Sequence, residues 1–111
     1  MKHTLSLNKN TLFRRLYYRG KTYGCPYFVL YVMRANTKVN RIGFTVSKKI
    51  GKAVARNRAR RLMYESFRLY EPQTKQGYYM VMVAKSAILQ TDFETIRLSL
   101  GKILERAELT Q

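Results

Sequence analysis

All six carboxylates of this 111-residue chain lie after Tyr64, so the first 64 residues carry sixteen Lys and Arg with nothing acidic beside them. The last 47 residues hold six basic and six acidic groups and balance to zero, so the formal charge of +16 belongs to the N-terminal part. A half-molecule charged in this way repels itself unless a polyanion lies alongside. Release of counterions from neutralised phosphates is the physical reason such a surface is useful. The densest stretch is KKIGKAVARNRARR, Lys48 to Arg61, with seven cations in fourteen residues.

A hydrophobic content of 46% argues for a real core and against a disordered basic tail. The length suits one domain spanning 1–111 and is short for two. The longest apolar runs, Tyr27 to Met33 and Tyr78 to Ala84, fall far below the ~18 residues of a membrane span. The N-terminus has no apolar segment of the secretory type. Cys25 has no second cysteine to pair with, which suits a reducing compartment. The expectation is a soluble, cytoplasmic protein with no membrane role.

Hydrophobic periodicity predicts the order α-β-β-α-β-α, an α+β sandwich with helices packed on a small sheet. Asn8 can cap a first helix running to about Arg19, with Gly20 after it in the position that favours positive φ. Its apolar residues pair at i,i+4, Leu12 with Leu16 and Phe13 with Tyr17. Strands follow at Tyr27–Met33 and Arg41–Ser47, after a break at Asn40, and an edge strand can form around Tyr23–Cys25. From Ala53 to Tyr70 the period is helical, with Ala55, Ala59, Leu62, Met63, Ser66, Phe67 and Tyr70 on one face and Pro72 as the stop. A third strand covers Gly77–Ala84. Thr91-Asp92-Phe93-Glu94 has capping-box spacing and opens a last helix burying Phe93, Ile96, Leu100, Ile103, Leu104 and Ala107.

Protein-borne catalysis is hard to build from this inventory. The one histidine, His3, lies in a terminus expected to fray, and neither it nor Cys25 has a partner at nucleophile–base or metal-ligand spacing. Asp92 and Glu94 suit capping and dipole duty in a helix's first turn rather than metal binding. No catalytic residue and no protein metal site is expected. The basic helix carries the strongest functional signal. Only Arg61 and Glu65 have the i,i+4 spacing for an internal ion pair, and Arg outnumbers Lys, which favours forked grip on phosphate. Charge alone leaves the nucleic acid open: a structural binder of ribosomal RNA and a DNA-binding module share the logic. Phe13, Tyr17 and Tyr31 are candidate rings for stacking single-stranded bases, yet an aromatic stripe at this spacing also serves as core.

The run FTVSKKIGKAVARNRARRLMYESF, Phe44 to Phe67, closely resembles the hallmark segment of the bacterial ribonuclease P protein subunit family. The match runs through Ser47-Lys48-Lys49, Gly51, Ala53-Val54, Arg56-Asn57-Arg58 and Arg60-Arg61. LFRRLYYRG, Leu12 to Gly20, looks like the family's first helix and YFVLY, Tyr27 to Tyr31, like its first long strand. The resemblance covers nearly the whole chain. It implies a protein that partners a catalytic RNA and assists Mg²⁺-dependent removal of the 5′ leader from precursor tRNA, with the Mg²⁺ held mainly by RNA and no organic cofactor. It further implies a protein that is monomeric within the ribonucleoprotein and a left-handed β-α-β crossover. Lys48, Lys49, Lys52, Arg56, Asn57, Arg58, Arg60 and Arg61 would contact the catalytic RNA. Phe13, Tyr17 and Tyr31 would face the leader in a cleft between the first helix and the sheet. Tyr64 departs from the basic residue that many relatives carry there.

Overall fold

The structure, a computed structural model, describes residues 3–111. Five strands form one mixed sheet: β1 (Thr4–Ser6), β2 (Lys21–Gly24), β3 (Phe28–Arg34), β4 (Asn40–Thr45) and β5 (Tyr78–Ala84). Their spatial order is β1-β4-β5-β3-β2. β4 lies parallel to β1 and β5, whereas β3 runs antiparallel to β5 and β2. Helix α1 (Asn10–Arg19) covers one face; α2 (Ala53–Tyr70) and α3 (Phe93–Arg106) cover the other. β4, α2 and β5 thus make a crossover between parallel neighbours.

Alternation along the strands decides which core each residue joins. Phe28, Leu30 and Val32 of β3, Ile42 of β4 and Met80 and Met82 of β5 point to α2 and α3, meeting Ala59, Met63, Phe67, Ile96, Leu100 and Leu104. The intervening Tyr31, Met33, Tyr79, Val81 and Val83 point to α1, around the fully buried Leu16. Tyr27 does not share that second face. It precedes β3, escapes the alternation and packs on the larger core.

The predicted helices and long strands form, with shifts at their ends. α2 spans the predicted residues, and a 3-10 turn, Glu71–Gln73, carries Pro72. α1 starts at Asn10 behind Lys9 rather than behind Asn8, with no side-chain cap. Gly20 is extended, at φ −72°, not left-handed. It is needed for space instead: a Cβ there would lie 2.5 Å from the Leu16 carbonyl oxygen. Asn40 belongs to β4 rather than breaking before it: it pairs with Thr4 of β1, and its buried amide ties the strand to the segment that enters β5. Nδ2 donates to the Lys75 carbonyl and Oδ1 accepts from the Tyr78 N–H, both at 2.8 Å. Asp92, not Thr91, caps α3, accepting from the Thr95 N–H at 2.9 Å.

The expected edge strand exists as β2, and β1 is an addition. The backbone at His3, in the segment expected to fray, is hydrogen-bonded. The buried Glu71 carboxylate accepts from the His3 N–H at 2.8 Å and from the Thr4 hydroxyl at 2.9 Å, tying β1 to the end of α2.

Candidate nucleic-acid interface

The cationic segment begins where β4 ends. Lys48–Ile50 form a 3-10 turn, and Gly51 then takes φ 153°, ψ −163°, a region open essentially to glycine alone. That reversal sets Lys52 as the residue before α2. No side chain caps this helix end and no acid stands in its first turn. Its free N–H groups and positive dipole end therefore sit beside Lys48, Lys49 and Lys52, all exposed, a ready anion-binding arrangement.

Along α2 the buried face holds Ala59, Met63, Ser66 and Phe67, which turns Asn57, Arg58, Arg60 and Arg61 to solvent. Arg60 donates to Asn57 Oδ1 at 3.2 Å, a link between two exposed polar side chains. Arg56 lies half-buried on the edge of the stripe, with its Nε enclosed and unpaired among the described residues. The i,i+4 pairing of Arg61 with Glu65 does not form. Glu65 turns to Arg68 at 2.9 Å, leaving Arg61 without an acidic partner. From Lys9 to Arg61, no Lys or Arg joins an ion pair among the described residues; the two pairs present, Glu65–Arg68 and Glu94–Arg97, use cations of the balanced half. Tyr64 packs edge-on against Phe44, centroids 5.8 Å apart, filling the angle between α2 and β4.

On the opposite face, Phe13, Tyr17 and Tyr31 come together. Phe13 and Tyr17, one turn apart on α1, have centroids 6.5 Å apart, and Tyr17 meets Tyr31 of β3 edge-to-face at 4.9 Å. Tyr17 is 44% exposed; Phe13 and Tyr31 are half-buried against the smaller core. The rings thus serve as core on one side and as open aromatic surface on the other. Phe13 rests on Gly43 of β4, where a Cβ would come within 2.8 Å of its ring. Gly43 is a supporting residue that sequence reading missed, since only the packing of α1 on β4 gives it a role.

Among the described residues no three His, Cys, Asp or Glu side chains gather into a metal-binding set. Nor is any helix there long and apolar enough to cross a membrane.

The model of the ribonuclease P family matches residues 1–108. The "Ribonuclease P protein component" of Caldanaerobacter subterraneus subsp. tengcongensis is 46% identical over 103 residues, 93% of this chain and 89% of that protein. The component of the same name from Natranaerobius thermophilus is 34% identical over all of this chain and 96% of its own. Among solved structures, the Staphylococcus aureus RNase P protein superposes with a TM-score of 0.86 at 27% identity, covering 96% of this chain and 97% of that one. The Thermotoga maritima protein gives 0.82 at 28%, covering 91% and 96%. A basic α2 whose cations up to Arg61 have no acidic partner, on a fold shared over almost its full length with these proteins, fixes the assignment: the chain belongs to the ribonuclease P protein family, the protein component of the ribonucleoprotein endoribonuclease that matures tRNA 5′ ends.

Proposed function

We propose that this chain binds the catalytic RNA through the Lys48–Lys52 turn and the exposed face of α2, and holds the single-stranded leader of precursor tRNA against Phe13, Tyr17 and Tyr31. The observation that carries the first half is the uncapped start of α2 beside unpaired cations, which leaves free N–H groups and positive charge for phosphates. The second half is supported by rings whose outer sides remain open while their inner sides are fixed by packing. Base stacking on such rings contributes ~1–3 kcal/mol per base whatever the sequence.

Hydrolysis of the phosphodiester is assigned to the RNA, with the Mg²⁺ that it requires held by RNA phosphates. The protein acts in the cytoplasm as a single copy within the ribonucleoprotein. Its share of the rate enhancement is positioning of the leader and relief of repulsion between two RNAs. Reconstitution tests this. The chain mixed with a bacterial catalytic RNA should raise precursor processing at low Mg²⁺, while the RNA-free protein with Mg²⁺ should cleave nothing. Robust cleavage by the protein alone, or no stimulation of the RNA, would overturn the proposal.

A further inference from the structure

One face of α2 combines aromatic and polar chemistry. Asn57, Arg60, Arg61, Tyr64 and Glu65 follow the i, i+3, i+4, i+7, i+8 spacing that aligns side chains along a helix. Beside them stands Phe44 of β4, and the six together line an open depression of about 370 Å³. Its floor is aromatic: the Phe44 and Tyr64 rings meet at 70° with centroids 5.8 Å apart. Such edge-to-face packing closes only part of each ring. Both rings are half-buried and both line the depression, so each keeps surface toward it.

The depression opens at an edge of the sheet that none of the described strands covers. β1 pairs with β4 only from Asn40 to Ile42, so Phe44 stands past the end of that cover.

Polar groups surround the floor. Arg60 and Arg61 are exposed and have no acidic partner among the described residues. Arg60 donates to Asn57 Oδ1 at 3.2 Å, which engages the oxygen of that amide and not its NH₂ group. Both contacts of Glu65 with Arg68 use Oε2, so Oε1 keeps its lone pairs.

This set fits a nucleobase better than a phosphate. A phosphate gains nothing from two rings, and the Glu65 carboxylate repels it. A base stacks on the rings, donates an N–H to the carboxylate and accepts from the Asn57 amide. The phosphates on either side of that base then meet Arg60 and Arg61.

We propose that the Phe44–Tyr64 depression takes one unstacked base of the catalytic RNA, so that α2 grips that RNA by a base as well as by its phosphates. Tyr64 is the ring on which the base stacks, and Glu65 is the acceptor for its N–H. This rests on the reading that α2 binds the catalytic RNA.

The chain contains no tryptophan, so Tyr64→Trp places a single indole in the depression. A base stacked on that indole quenches its fluorescence. Titration with a bacterial catalytic RNA should quench most of the emission. Polyphosphate, a polyanion without bases, should leave it unchanged. Tyr64→Leu keeps an apolar side chain but removes the π face, so affinity for the catalytic RNA should fall about fivefold or more, the lower end of base stacking. Its slope of log K against log[KCl] should match wild type, because no phosphate contact is lost. Tyr64→Phe keeps the π face and should bind as wild type does. Urea unfolding of each variant separates loss of binding from loss of fold; should Tyr64→Leu unfold, the indole titration decides alone.

Unquenched Tyr64→Trp emission in a complex that forms normally would overturn the proposal. So would wild-type affinity of Tyr64→Leu, or a reduced salt slope in that variant. A loss seen only when precursor tRNA is present would assign the base to the precursor and equally overturn it. If Arg58→Glu leaves affinity for the catalytic RNA unchanged, the α2 reading itself fails, a result distinct from failure at Tyr64 alone.

Discussion

Gly43→Ala tests whether the sheet was shaped to seat an aromatic ring. A methyl at this β4 position would lie 2.8 Å from Phe13 Cζ, 2.9 Å from Cε1 and 3.2 Å from the Leu7 carbonyl oxygen. Ordinary contact needs about 3.4–4 Å, so the ring must move outward by several tenths of an ångström or more. Overpacking of this kind costs about 1–3 kcal/mol. Phe13→Ala removes a half-buried ring and should cost roughly 2 kcal/mol, below the figure for a fully buried phenylalanine. In the Phe13→Ala background the methyl meets only the Leu7 oxygen, so Gly43→Ala should then cost a few tenths of a kcal/mol. Urea unfolding of the four proteins gives a double-mutant cycle with an expected coupling of about 1–2 kcal/mol. Leader affinity in the reconstituted complex gives the second readout. Loss of one stacked ring reduces it by about five- to 150-fold, and a displaced ring by the lower end of that range. Gly43→Ala should add nothing once Phe13 is gone. Equal costs of Gly43→Ala in both backgrounds, with leader affinity untouched, would refute the seating of Phe13 on Gly43 and its place on the leader surface.

Charge reversal at Arg58, exposed and without an acidic partner, should weaken binding to the catalytic RNA by about tenfold or more, as expected for loss of one charge-assisted contact, and raise the Mg²⁺ requirement. Circular dichroism should be unchanged; full activity of Arg58→Glu at low Mg²⁺ would exclude α2 from the interface. Asn40→Ala leaves the Lys75 carbonyl and the Tyr78 N–H without the partner that joins them to β4, a cost of about 2–5 kcal/mol in urea unfolding; a loss below about 1 kcal/mol would show that water replaces the amide. Hydrogen bonds from Thr95, side chain and backbone, hold the Asp92 carboxyl below its ordinary range. A lowered folded value means that its stabilisation is present above the unfolded aspartate range and is lost as pH falls through the folded value. Asp92→Asn keeps a good capping side chain but cannot titrate, so its urea midpoint should fall less steeply than wild type between about pH 5 and pH 2. Identical slopes would count against this linkage.

The long elements were legible because each carries many repeats of its period. Eighteen residues of α2 present the same stripe five times over, and the seven-residue strands β3 and β5 are apolar on both faces because helices cover both. Short elements carry too few repeats to be read. Three residues, Thr4–Ser6, hold no pattern, and β1 exists because Glu71, 67 residues away from Thr4, supplies a buried acceptor. Asn40 looks like a strand breaker by propensity, and its side-chain bonds to Lys75 and Tyr78 override that preference. Gly20 shows a different gap: its need for space is set by the approach of Leu16, which local dihedral preference does not reveal.

For the interface the division is similar. Sequence by itself determined that the N-terminal part is cationic beyond any internal neutralisation, because charge is additive and six carboxylates placed after Tyr64 cannot offset sixteen cations before it. It also determined that Arg61 points away from the buried stripe of α2, because the period of a helix ties exposure to spacing. Tertiary structure decided that Gly43 gives room to Phe13 and that Arg19, Lys21, Arg34 and Lys75 share one corner. Those facts depend on contacts between segments tens of residues apart, and only the sheet order β1-β4-β5-β3-β2 brings the segments together.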